Sequence, residues 1–327
     1  MIDILNLQPT TISRDLKGKY ICLFGKPKVG KTTFAAQAPN NLLLAFEKGY
    51  NAISGIKAQD INRWADFKMV LKQLERPEAQ EMYDTVTIDT VGIMWEMCEQ
   101  YICAQNQVTN IGDISWGKGY SLCKREFESC LRKITMLGYG LIIIAHVDKR
   151  IEKKDDESEI EIVSPAIPKR AYEIVNQLVD IIGYIDVVYD DDGSSKRILC
   201  TRSTPTVMAG SRFPYLPSKI PFGYKELTNA VADAIEKSEK LDGAKVVDTI
   251  ETKAEESLNY TALRNEASEL WAKMVGTGEN TNEDMALRIL KRVEMIFGRP
   301  MKISEITEDQ VDLLNLVVLD MRELAAE

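Results

Sequence analysis

The sequence contains a single histidine, His146, and none of its six cysteines belongs to a C-x-x-C pair. Those spacings offer no zinc site. Cys22, Cys98, Cys103, Cys123, Cys130 and Cys200 are therefore expected as reduced thiols of a cytoplasmic protein. No run of about 18 uncharged apolar residues occurs, so neither a membrane span nor a membrane partner is expected. The N-terminus, Met1-Ile2-Asp3-Ile4, lacks the basic-then-apolar layout of a signal peptide. Cations are in deficit: 41 Lys and Arg stand against 50 Asp and Glu, a net charge of −9. A strongly basic nucleic-acid binder is excluded, while a local basic patch is not. Internal repeats and low-complexity tracts are absent as well.

What is present suffices for a core. Of 327 residues, 45% are hydrophobic and 28% charged, enough for one sizeable α/β domain and a smaller one. Tyr20 to Phe24, Leu42 to Phe46 and Gly140 to Ala145 are near-continuous apolar runs, and Thr85 to Ile88 is a shorter one. Such runs mark strands buried on both faces of a parallel sheet. Helix-like segments, Gly92 to Ala104 and Tyr120 to Met136, lie between them. The alternation predicts a three-layer α/β sheet. Tyr184 to Tyr189 and Arg197 to Arg202 flank Asp190-Asp191-Asp192-Gly193, which reads as a hairpin adding antiparallel edge strands.

Charge and weak patterning after Ile235 suggest a core over 1–240, a linker over 241–257 and a small helical domain over 258–327. In that last domain Leu263, Ala267, Leu270, Trp271 and Met274 share a face. Thr281-Asn282-Glu283-Asp284 offers an N-cap before Ala286, Ile289, Leu290, Val293 and Phe297. Gly298 and Pro300 stop that helix. Thr307 to Gln310 is a capping box before Leu313, Leu314, Val317, Met321 and Leu324.

One motif carries specific chemistry. Gly25-Lys26-Pro27-Lys28-Val29-Gly30-Lys31-Thr32, followed by Thr33, fits G-x-x-x-x-G-K-[ST] in full. Glycines let the backbone curl so that its N–H groups face phosphate oxygens, and the following helix adds its positive end. Lys31 is expected on the β- and γ-phosphates of ATP and Thr32 on Mg²⁺. A strand before and a helix over Thr32 to Gln37 supply the required context. Asp89, ending the run Thr85 to Ile88, is expected to orient Mg²⁺ through water. Residue 90 is Thr, whereas P-loop enzymes of the AAA+ type place a catalytic Glu directly after that Asp. RecA-like enzymes place it at the end of the neighbouring strand, where this chain has Glu47. Glu47 is thus expected to orient or activate the attacking water, with Glu96 as the rival. His146 ends an apolar strand and is expected to face the γ-phosphate; the alternative is a histidine satisfied at a strand end. Ala145 to Lys149 lacks the Asn of a guanine-reading Asn-Lys-x-Asp motif, which disfavours a GTPase.

These segments, with Phe46-Glu47-Lys48-Gly49, Trp116-Gly117-Lys118-Gly119-Tyr120 and Ala209-Gly210-Ser211-Arg212, resemble a phage family. It comprises AAA-domain nucleotide-binding proteins with a RecA-like core, linked to recombination and single-strand annealing. The resemblance spans roughly residues 18 to 235. It implies a RecA-like P-loop ATPase with ATP and Mg²⁺, in the host cytoplasm if viral, assembling as a homo-oligomeric ring or filament. In RecA-like and DnaB-like ATPases a Lys-x-Arg reaches the next subunit's site; the matching positions here are Gly210 and Arg212, so Arg212 is the candidate.

For single-stranded DNA, Trp116, Lys118 and Tyr120 are the candidates. Lys118, Lys124 and Arg125 stand near Asp113, and aromatic faces beside cations suit bare bases. Trp116 packing over the sheet is the alternative. Across residues 149–161 acids outnumber bases, which argues against phosphate contact there, while Lys169 and Arg170 restore a basic edge. Three readings compete: a DNA-stimulated ATPase of recombination or annealing, a replication helicase or helicase loader, and a slowly hydrolysing nucleotide switch acting through a protein partner of the helical domain.

Overall fold

The computed structural model describes residues 10–153, 159–190, 192–248, 258–276 and 281–326. The chain divides into two compact units, Met1–Glu255 and Glu256–Glu327.

The first unit is built on a nine-stranded sheet. Its strands are β2 (Tyr20–Gly25), β3 (Asn41–Ala45), β4 (Lys57–Asp60), β5 (Thr85–Asp89), β6 (Gly140–Ala145), β9 (Ile181–Tyr189), β10 (Ser195–Cys200), β11 (Gly210–Ser211) and β12 (Lys219–Pro221). The order across the sheet is β12-β10-β9-β2-β6-β5-β3-β4, with β11 also on β9. Six strands from β9 to β4 run parallel. Three are antiparallel additions at one side. Outside the sheet, β7 (Val147–Lys153) and β8 (Glu159–Pro165) form a separate antiparallel ribbon.

Side chains alternate between two cores, as the strand period dictates. Cys22, Phe24, Leu141 and Ile143 face one core; Ile21, Leu23, Ile142 and Ile144 face the other. Helices α2 (Trp64–Leu74), α4 (Val91–Gln105), α5 (Lys118–Met136) and α6 (Lys169–Leu178) cover the first face through Phe67, Met94, Phe127 and Ile174. Helices α1 (Lys31–Ala36) and α7 (Tyr224–Asp242) cover the second through Phe34, Leu227 and Val231. The short α3 (Pro77–Met82) carries no buried residue. Three layers result because every central strand is apolar on both sides.

Two sequence expectations need correction. The first hairpin strand starts at Ile181, not Tyr184, and its first half is a core strand parallel to β2. It is antiparallel to β10 and β11, so one strand serves both parts of the sheet. Residues 241–248 are not linker. Helix α7 runs to Asp242, and β13 (Val246–Val247) pairs in parallel with β1 (Ile12–Ser13). Arg14 holds that return through Glu239 at 3.0 Å and Asp248 at 2.8 Å. The remaining expected linker, 249–257, lies outside the described residues.

The second unit packs α8 (Tyr260–Met274), α9 (Glu283–Phe297) and α10 (Val311–Ala326) around Leu263, Ala267, Ile289, Val293, Leu314 and Val317. The caps are side-chain acceptors: Asn259 takes the Ala262 N–H at 3.0 Å, and Asn282 takes the Met285 N–H at 3.1 Å. Gly298 closes α9 at φ 67°, a left-handed conformation that suits glycine. Thr307 and Gln310 form their box on a single 3-10 turn ahead of α10. Leu290, expected inward, is 37% exposed, because α9 turns only Ile289 and Val293 fully into the core. Among the described residues no helix is long and apolar enough to cross a membrane.

Phe127 is fully buried and meets Trp95 edge-on with ring centroids 5.1 Å apart. Phe127→Ala is expected to cost about 3–5 kcal/mol, read from the urea midpoint at unchanged slope. A loss below about 1 kcal/mol would mean that the α4–α5 layer does not pack this way.

Candidate nucleotide site

Parallel register puts the carboxyl ends of β2, β3, β5 and β6 on one edge. Phe24 lies opposite Ala145, Ala45 opposite Asp89, and Asp89 opposite Ile144. Every chemical group expected from the sequence on these strands therefore emerges together.

The loop between β2 and α1 curls through left-handed residues, Lys28 at φ 64° and Gly30 at φ 102°. At Gly30 a side chain is excluded twice: by that angle, and because a Cβ would sit 2.6 Å from Arg197 Nη1. Gly25 lies against β9, where a Cβ would come within 3.0 Å of the Ile185 carbonyl. Val29 is buried in the second core, which anchors the loop, while Pro27, Lys28 and the exposed Thr33 line a cleft of about 380 Å³. Lys31 Nζ donates to the Gly25 carbonyl at 2.8 Å and the Lys26 carbonyl at 2.9 Å. Burial pulls its pKa down, against the opposing pull of the Asp89 and Glu47 carboxylates.

Across the cleft, Thr32 Oγ1 donates to Asp89 Oδ2 at 2.6 Å. Asp89 is 5% exposed, and burial pushes its carboxyl pKa up, with the Thr32 hydrogen bond acting the other way. A hydroxyl and a carboxylate are hard oxygen donors, the set that magnesium takes from a protein when phosphate and water complete its shell. Among the described residues no cluster of three or more His, Cys, Asp or Glu offers a self-sufficient metal cage. The pair fits a metal that arrives with a polyphosphate.

Glu47 follows β3. Its amide and that of Phe46 donate to the Asp89 carbonyl at 3.0 and 2.7 Å, tying the two strand ends together. Its carboxylate meets His146 Nε2 at 2.9 Å across the cleft. The Nε2–H tautomer of His146 is the one that donates to this carboxylate. Glu96 is exposed on α4 and does not line the cleft.

Two residues that the sequence reading missed belong here. Arg197 on β10 donates from Nη1 to the Val29 carbonyl at 3.2 Å, with its guanidinium 5.7 Å from the Phe222 ring centre. Thr90 lines the cleft beside Asp89. The Walker spacing points to neither, because both depend on sheet register and side-chain direction.

Other candidates lie elsewhere. Ser211 pairs with Ile181, which pairs with Ile21 at the start of β2, so Arg212 sits at the amino edge of the sheet. It bonds Asp180 Oδ1 at 3.2 Å and the Gln177 carbonyl. The structure does not bring it to the cleft of its own chain. Trp116, Lys118 and Tyr120 are also outside the cleft. Trp116, at φ 60° just before α5, is 101% exposed and does not pack over the sheet. One turn on, the Arg170 guanidinium lies 4.3 Å from the Tyr120 ring centre. In the 149–161 segment, residues 154–158 lie outside the described residues.

Glu47→Gln is expected to keep nucleotide affinity and lower ATP turnover about 10²-fold or more, measured by phosphate release under saturating ATP. Glu96→Gln is expected to match the parent protein. The reverse outcome would remove Glu47 from the site chemistry.

A family model described as an AAA domain matches residues 17–213. The chain is also similar along its length to the SPbeta prophage-derived uncharacterized protein YorG of Bacillus subtilis strain 168. The two are 31% identical over 336 residues, covering 100% of this chain and 99% of that protein. The family match takes in more than half of the chain and includes the phosphate loop, Glu47, Asp89 and His146. The chain belongs to the AAA-domain family.

Proposed function

We propose that this protein is a phage ATPase that hydrolyses Mg-ATP in the cleft at the carboxyl edge of its sheet. The observation that carries the reading is the convergence of Lys31, the Thr32–Asp89 pair and the Glu47–His146 pair at that one edge. Gly25 to Thr33 wrap the phosphates with backbone N–H groups. Lys31 exchanges its two carbonyl acceptors for β- and γ-phosphate oxygens. Thr32 and Asp89 are the residues that would hold magnesium, which supplies neutralising charge on the phosphates when bound. Glu47 orients the attacking water and accepts its proton, and His146 holds the Glu47 carboxylate in place.

The RecA-like assignment and the DNA role are the finer parts of this proposal. Glu47 stands at the end of the strand beside the Asp89 strand, the RecA-like position, and Thr90 stands where an AAA+ enzyme has its glutamate. Similarity to a prophage-derived protein supports a phage setting in the host cytoplasm. For single-stranded DNA, the support is a fully exposed Trp116 ahead of Lys118, with the Tyr120–Arg170 stack behind. Stacking one base on an aromatic contributes about 1–3 kcal/mol, which an acidic chain gains without general attraction to phosphate. The function that follows is recombination or single-strand annealing by a homo-oligomer. Arg212 serves a neighbouring subunit's site in this reading, after release from Asp180. On the helical unit, exposed Leu287 and Met295 offer an apolar contact for a protein partner.

Lys31→Ala is expected to abolish turnover. In the parent protein, ATP turnover is expected to rise with single-stranded DNA and much less with duplex at fixed salt. Trp116→Ala is expected to remove that stimulation while leaving DNA-free turnover and the unfolding midpoint unchanged. Turnover indifferent to DNA would favour the nucleotide switch, and ATP-driven strand separation would favour the helicase reading.

A further inference from the structure

Thr90 occupies the N-cap position of α4 in an extended conformation, yet its side chain makes no cap hydrogen bond. A threonine there ordinarily accepts from the second or third helical amide. Thr90 is 2% exposed, lines the cleft, and its Oγ1 is one of the few buried side-chain atoms without a hydrogen-bond partner among the described residues. A second such atom, His146 Nδ1, belongs to the same cleft. Buried hydroxyls are satisfied as a rule, and exceptions gather where a ligand completes them. The neighbouring chemistry narrows that ligand. Lys31 is bonded to carbonyls of the phosphate loop, and Thr32 is bonded to Asp89. Thr90 follows Asp89 directly, and Asp89 O holds the amide of Glu47. Thr90 and Glu47 line the same cleft, and Glu47, after β3, stands on the far side of the Asp89 strand from the phosphate loop in sheet order.

We propose that the Thr90 hydroxyl is the second protein group on the attacking water. The inference rests on the reading of the cleft as an ATPase site. Thr90 O–H donates to one lone pair of the water, and Glu47 accepts one of its protons. The other lone pair forms the bond to the γ-phosphorus. As that bond forms, the bond from phosphorus to the bridging oxygen breaks, the electron pair leaves on ADP, and the water proton passes to Glu47. Two fixed partners orient the nucleophile where one carboxylate leaves it free to turn. A carboxylate directly after the aspartate, the AAA+ arrangement, would accept a proton from the water; a threonine there donates to the water instead and leaves the base role to Glu47.

The test is Thr90→Val, which keeps shape and removes the hydroxyl, with Thr90→Ser as the conservative control. The valine variant is expected to lose 10-fold or more in kcat with KM for ATP unchanged within about twofold. Binding of ADP with beryllium fluoride, a ground-state mimic, is expected to persist. Binding of ADP with aluminium fluoride, which includes the axial water, is expected to weaken by a similar factor. The unfolding midpoint without nucleotide is expected to stay level or rise, because no hydrogen bond is lost. Serine is expected to restore most of kcat. A lowered midpoint would make Thr90 a helix cap, weaker beryllium fluoride binding would make it a phosphate ligand, and unchanged kcat would leave it idle; each overturns the proposal. Absence of ATP turnover in the parent protein would instead overturn the ATPase reading itself.

Discussion

Asp89 ties the site together. Its carboxylate takes the Thr32 hydroxyl at 2.6 Å, reaching the phosphate-loop helix although β6 lies between β2 and β5. Its carbonyl takes the amides of Phe46 and Glu47, which fixes where Glu47 emerges. Thr90 follows it in the chain, and its neighbour across the sheet, Ile144, lies two residues before His146. One strand end thus sets the spacing between the phosphate loop, the Thr32–Asp89 pair, Glu47, Thr90 and His146. The arrangement needs parallel strands, since only then do all four carboxyl ends share an edge.

Burial gives these groups their character. Lys31 and Asp89 are both nearly excluded from solvent, and burial works against the charge of each. Lys31 is held by carbonyls and Asp89 by a hydroxyl, neutral partners that stabilise without cancelling charge. A polyphosphate with magnesium would bring the opposite charge to both at once, so that nucleotide binding and charge compensation would be one event. Arg197 adds a clamp from the other side: its guanidinium holds the Val29 carbonyl and fills the space above Gly30. Through it, the antiparallel strands at one edge of the sheet touch the backbone that wraps the phosphates.

The sequence disclosed what is local. The phosphate loop is a run of contiguous residues, so Gly25 to Thr33 were legible as a unit. Continuous apolar runs announced β2, β3, β5 and β6 to within a residue or two, because burial on both faces leaves no polar period to confuse. Glu47 was legible as a strand-end carboxylate, and the structure brings it to His146. What stayed hidden depends on pairing at a distance. Val246–Val247 closes onto Ile12–Ser13 through two residues per strand, too few to leave a pattern. Arg197 reaches the loop only because β10 joins β9 in one register. Arg212 lies at the amino edge because β11 pairs with the start of β9, which a Gly-x-Arg spacing does not reveal. Trp116 could have been core or surface by sequence, and the left-handed turn before α5 puts it in solvent.

The central claim is that the Thr32–Asp89 pair makes this cleft a magnesium-dependent nucleotide site. Its most direct test is the affinity of a fluorescent ATP analogue, titrated with and without magnesium, for the parent protein and for Asp89→Asn. The account predicts tight binding that needs magnesium in the parent protein, and binding in the variant that is weaker and indifferent to the metal. Equal affinity with and without magnesium in the parent protein, or full magnesium dependence in Asp89→Asn, would contradict it.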